Sequence, residues 1–225
     1  MAELVTIRSE APQSVTQRLA RSYLDLRAGI GAMGTLLPFV LFFGNSILVR
    51  RFDFRSSLSS YYYTDMRNVL VGSLCAIGVF LVAYRYEPVD TWASSLAGIA
   101  GICVALFPTS PDSAKRIGTV GAVHLVAAVI FFGTLAFFCL CLFTRSNQPK
   151  DRQTVRKRLR NRIYRTCGVL IILSIVCAVA SKFLPAQDIG VIHPLFWCEV
   201  VAILSFGLAW AIKGETISPL RDRTD

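Results

Sequence analysis

Apolar windows, each bounded by charged or turn-forming residues, recur six times along the chain, over about 28–49, 68–84, 91–107, 120–143, 166–184 and 194–212. A helix rising ~1.5 Å per residue covers a hydrocarbon core ~30 Å thick with windows of this length, the shortest of them with local thinning. The pattern predicts an all-α polytopic integral membrane protein, a bundle of six transmembrane helices. Pro38 is expected to kink the first helix. Small residues (Gly29, Gly31 and Gly34 in the first window; Ala97, Gly98 and Gly101 in the third) permit close helix contact.

The flanks are polar. Residues 1–27 form an N-terminal segment in which Ser14 would cap a short helix. Gln17, Arg18 and Arg21 would lie on its polar face, with Leu19, Tyr23 and Leu26 on its apolar one, as in an interfacial helix. It does not read as a cleaved signal peptide, because the polar region is long and the apolar run after it spans a whole bilayer. Residues 213–225 form a tail.

Composition agrees with the pattern. Of 225 residues, 54% are hydrophobic and 17% charged, against about 25% charged in a soluble domain. The net charge of +10 does not point to nucleic acid, because nine of the 24 Lys and Arg residues lie between Arg145 and Arg165, next to a span. Lys and Arg number 17 at the N-terminus, before span three, before span five and in the tail, and 7 in the remaining loops. That asymmetry places both termini in the cytoplasm. Within VRKRLRNRIYR, the residues Arg156, Lys157, Arg158, Arg160 and Arg162 would surround an apolar side carrying Leu159 and Ile163, and meet anionic lipid headgroups. The seven cysteines lie in apolar windows or at their edges with no C-x-x-C pair, and are read as small buried hydrophobes.

The candidate chemistry gathers on the outer side of this topology. Tyr61, Tyr62, Tyr63, Asp65 and Arg67 lead into span two. Pro108, Thr109, Ser110, Pro111 and Asp112 form the turn before span four. His124 lies a turn inside span four, His193 at the outer end of span six, and Glu199 six residues deeper. A carboxylate within a span faces the bundle, paired or protonated. Each residue also has a structural reading: a hydrogen bond to a neighbouring helix for Glu199 and His124, an interfacial belt for the tyrosines and His193, and a cap and a headgroup anchor for Asp65 and Arg67. If a metal were bound, His124 and Glu199 would be its ligands, but no H-x-x-x-H, H-E-x-x-H or D-x-x-x-D pair occurs in the spans. No G-x-S-x-G elbow or Gly-rich phosphate loop is present either. No cofactor is expected, and no oligomeric state is readable.

The pieces YYYTDMRNVLVGSLCAIGVFLVAY, VALFPTSP, RNRIYR and FWCEVVAILSFGLAWAIKGE give nearly the whole chain a likeness to an uncharacterised group of bacterial six-span proteins. That likeness implies a bacterial inner membrane and brings no activity. Through Ser56–Thr64, Phe107 with Pro108, and His124, spans one to four also resemble six-helix membrane proteins of the DRAM and FRAG type, although Tyr61–Tyr63 depart from their pattern. This second resemblance implies a role in lipid handling or membrane organisation. The expected function is non-enzymatic binding of a lipid or small amphiphile in an outer-side polar pocket lined by Asp65, Arg67, His124 and Glu199, with Tyr61–Tyr63 at its mouth. A membrane-embedded metal-dependent lipid hydrolase and a small transporter or channel are the alternatives.

Overall fold

The computed structural model describes residues 10–114, 116–146, 149, 153–181 and 193–215, and every described regular element is helical. The helices are α1 (Glu10–Leu48), α2 (Arg67–Ala83), α3 (Pro88–Leu106), α4 (Thr119–Phe137), α5 (Val155–Ala180) and α6 (Pro194–Lys213). A π-helical turn, Phe138–Leu142, prolongs α4, and a 3₁₀ turn, Ser59–Tyr63, precedes α2. Five segments are long and apolar enough to cross a membrane: Arg21–Leu48, Pro88–Leu106, Thr119–Leu142, Val155–Ala180 and Pro194–Lys213. α2 is equally apolar in character but shorter, at 17 residues. These helices mark an integral membrane protein.

The elements differ from the windows at their polar ends. The segment 10–27 is not a separate helix, since α1 runs through it without interruption. No Pro or Gly lies between Ser14 and Ala28, so nothing there stops a helix. Ser14 therefore sits inside α1 and does not cap it. The basic stretch before span five is likewise the first three turns of α5. It is capped by Thr154, whose hydroxyl oxygen accepts a hydrogen bond from the Lys157 N–H at 3.1 Å. Residues 1–9, 182–184 and 216–225 of the expected segments lie outside the described residues.

Helices adjacent in sequence pack side by side, and α6 closes the ring against α1. The interior is filled by Phe131, Phe206 and Trp210 and the side chains around them. Large apolar residues such as Trp92, 79% exposed, point outward, as lipid-facing side chains do. Two crossings are backbone-close. At α1–α6 a Cβ on Gly31 would lie 2.5 Å from Ala211 N, and one on Gly207 would lie 2.6 Å from Thr35 N. At α2–α3 a Cβ on Gly98 would lie 2.5 Å from Gly78 O. Burial in lipid gives no hydrophobic drive between helices, so these close approaches supply much of the packing attraction.

Candidate functional site

One end of the bundle is closed by the segment 49–66. Its serines make their own turn: Ser60 N–H donates to Ser57 Oγ (3.0 Å), Ser57 N–H to Ser60 Oγ (3.3 Å), and Ser60 Oγ–H to Ser57 O (2.7 Å). Short hydroxyl side chains compete well for local backbone groups, which is why this Ser-rich stretch turns instead of extending α2. Ser59, at the start of the 3₁₀ turn, offers its N–H outward. Glu199, one turn into α6, takes it: Ser59 N–H donates to Oε2 at 3.1 Å and Ser59 Oγ–H to Oε1 at 3.4 Å. Both carboxylate oxygens are thus engaged, and the cap is tied to α6.

Further bonds tie the same segment sideways. Asn45, 1% exposed on α1, donates its side-chain N–H to Asp53 at 3.0 Å. Arg55 lies 3.9 Å from both Asp53 and Asp112. Ser56 Oγ–H donates to Asp112 at 2.5 Å, and Tyr63 O–H donates to Thr109 O at 2.5 Å. Tyr61 is wholly buried, with its O–H donating to Asp53 O at 3.2 Å. Burial, with the Asp53 charge adding, pushes its phenol up to about 12. Tyr62 instead carries Arg67, whose guanidinium stacks 4.1 Å above the ring and donates to the Tyr62 hydroxyl. Asp65 is exposed and does not cap α2. Thr64 Oγ1 accepts from Met66 N–H in its place.

Beneath this cap lies a cavity of about 300 Å³. Its back wall is α6 through Leu195, Cys198, Glu199 and Ala202, and its side walls are α4 and α5. Leu125 and Val129 on α4 and Val179 on α5 line it while remaining exposed, so it opens between those two helices. His124, Thr109, Ser110 and Glu199 give it one polar end, and the rest is mainly apolar. His124 is 6% exposed, and its Nδ1–H donates to Phe107 O at 2.7 Å. That bond fixes the tautomer of the neutral ring, leaving Nε2 as an acceptor. Gly121 admits the turn closely, because a Cβ there would strike the Ser110 hydroxyl.

The family model for a protein of unknown function, DUF998, matches residues 32–212. The chain belongs to the DUF998 family. The DUF998 match begins within α1, ends near the close of α6 and takes in the whole cavity together with Ser59. No curated protein and no solved structure matches the chain significantly.

Of the residues singled out from the DUF998 sequence, His124 and Glu199 line one cavity. Tyr61, Tyr62, Tyr63, Asp65 and Arg67 are not among its lining residues, and serve the cap and the start of α2. His193 holds a left-handed backbone (φ 47°) at the start of α6, its ring stacked 6.1 Å from Phe54. Arg158 and Arg162 are exposed, whereas Arg156, Lys157 and Arg160 are half-buried, with Lys157 Nζ donating to Arg145 O at 3.0 Å. Among the described residues, no group of three His, Cys, Asp or Glu side chains is placed to hold a metal ion. Sequence reasoning missed Ser59 as the partner of Glu199, and Ser174 and Cys198 as lining. A serine among serines carries no mark of which one meets a helix 140 positions away.

Proposed function

We propose that the protein binds one lipid or small amphiphile, without turning it over, in the cavity between α4, α5 and α6. The observation that supports this most is the shape of that cavity: about 300 Å³, apolar walls, one polar end, and an opening between two exposed helix faces. This volume is at the lower end of ligand pockets, ~300–1,000 Å³. An acyl segment would lie along Ala128, Phe132, Ala178 and Ala202, with a polar group toward His124 and the hydroxyls of Thr109 and Ser110. Both Glu199 oxygens are taken by Ser59, which favours a clamp over an acid–base catalyst or a titrating transport group.

The reading extends to the surroundings. The 17-residue α2 rises ~25 Å and serves as a sixth span. The excess of Lys and Arg, 17 against 7, favours cytoplasmic termini, and with that orientation the cavity would lie in the outer half of the membrane, taken from the bacterial likeness to be an inner membrane. Arg156, Lys157, Arg158, Arg160 and Arg162 then face anionic lipids on the cytoplasmic side. The likeness of spans one to four to the DRAM and FRAG type fits a lipid-handling role.

The test is native mass spectrometry of protein extracted gently from its own membrane, with metal analysis alongside. The expected result is a stoichiometric lipid or amphiphile without metal, lost when Ala202→Phe fills the cavity. Protein that carries no such ligand, or a ligand that Ala202→Phe retains, refutes the reading.

A further inference from the structure

The opposite end of the bundle gathers cations that have too few acceptors. Arg27 on α1 is 9% exposed. Its Nη2–H donates to the Tyr84 hydroxyl at 2.8 Å, and its guanidinium lies 5.2 Å from the Tyr84 ring and 5.3 Å from the Tyr86 ring. Its Nε–H is buried with no acceptor. The indole N–H of Trp210, a fully buried side chain packed on Tyr84 at 5.2 Å, has none either. One turn further along α6, the Lys213 ammonium sits 5.5 Å from the Phe143 ring, and Phe143 in turn packs on Trp210 at 5.3 Å. Gly214 presses α6 onto this part of α1, since a Cβ there would lie 2.7 Å from Ala28 N.

Arg27 and Asp90 both act on the charge of Lys213. Asp90 is itself paired with Arg145 at 3.5 Å, and Glu87 with the same arginine at 3.3 Å. Among the described residues no carboxylate lies within 4 Å of Arg27 or Lys213. Buried cations normally come paired, because desolvation without a counter-charge is costly. The carbonyls closing α6 offer only a partial negative charge.

We infer that Arg27 and Lys213, with the Trp210 indole beside them, form a site for a phosphate group at this end of the bundle. Guanidinium and ammonium together suit a phosphate, the planar fork giving direction and the ammonium a point charge. The phosphate could come from a lipid headgroup or from free phosphate. The site is separate from the His124 cavity and stands without it.

Purified full-length protein separates the sources. One arm measures thermal stability in detergent against inorganic phosphate, and the other measures co-purifying phospholipid after transfer from vesicles of phosphatidylcholine with or without phosphatidylglycerol. The inference expects stabilisation by phosphate in the first arm, or about one retained phosphatidylglycerol per chain in the second. Lys213→Gln should weaken whichever appears by about tenfold, the loss of one charge-assisted bond. Arg158→Gln, which removes an exposed charge at the same end, should change it less than twofold. If Arg27→Gln fails to fold, Lys213→Gln still decides. No response to either ligand, or equal losses in Lys213→Gln and Arg158→Gln, overturns the site.

Discussion

Replacing Gly207 by alanine adds one methyl group at the α1–α6 crossing, and the structure states what it meets. The new Cβ would strike the Thr35 hydroxyl and lie 2.6 Å from Thr35 N and 3.0 Å from Gly31 O. Two of these atoms are backbone, so the clash cannot be relieved by a rotamer change and the helices must part. Overpacking of this kind costs about 1–3 kcal/mol. Part of the cost is offset, because alanine in a helix interior is favoured over glycine by about 0.8–1 kcal/mol. The net expectation is a loss of up to about 2 kcal/mol for Gly207→Ala, and a similar loss for Gly31→Ala, whose Cβ would lie 2.5 Å from Ala211 N. Gly133→Ala is the internal control. It lies in α4 with nothing within 4 Å of its added Cβ, so the same chemical change should be neutral or stabilising. Denaturant titration of the three variants in one detergent measures the difference. Gly207→Ala proving as stable as Gly133→Ala would refute the argument that this crossing is set by backbone proximity.

Glu199→Ala leaves the Ser59 N–H without its acceptor and should cost about 1–3 kcal/mol. Glu199→Gln keeps one carbonyl oxygen and should cost less, and the ranking is readable from thermal unfolding. Tyr61 supplies a pH test. Its folded pKa of about 12 exceeds the unfolded value near 10, so above pH ~10 the unfolded chain sheds the proton first. Its contribution is therefore present below pH ~10 and is lost as pH rises toward ~12, by an amount on the order of 2–3 kcal/mol. Tyr61→Phe should flatten that part of the stability–pH curve, and an unchanged curve would sink the assignment. Arg67→Met removes the stack on Tyr62, neither residue being among those that line the cavity. It should leave amphiphile retention within twofold of the parent in native mass spectrometry.

The helices were legible because a membrane span needs only length and apolarity, both of which are written along the chain. Their polar ends were not. Segment 10–27 reads as a surface piece by composition, yet the absence of a breaker carries α1 through it. His124 and Glu199 stood out because polar groups inside apolar windows are costly, and they do share a cavity. Asp65 and Arg67 read as lining for it and Tyr61–Tyr63 as its mouth, because sequence gives depth in the membrane but not azimuth around the ring. The seating of Ser59 under Glu199 depends on how α6 closes against the rest, a long-range fact with no local signature. At the other end, Arg27 and Lys213 read as ordinary flanking charges, since burial decides their interest and burial is not visible in a window edge.

The clamp between Ser59 and Glu199 also has a meaning in time. The two residues are 140 positions apart, and a ribosome adding ~5–20 residues per second needs roughly 7–28 s to travel from one to the other. The segment that carries Ser59 is therefore made well before the helix that carries Glu199. The clamp thus joins a helix made late among the described elements to a turn made early, a contact that no shorter stretch of the sequence can form.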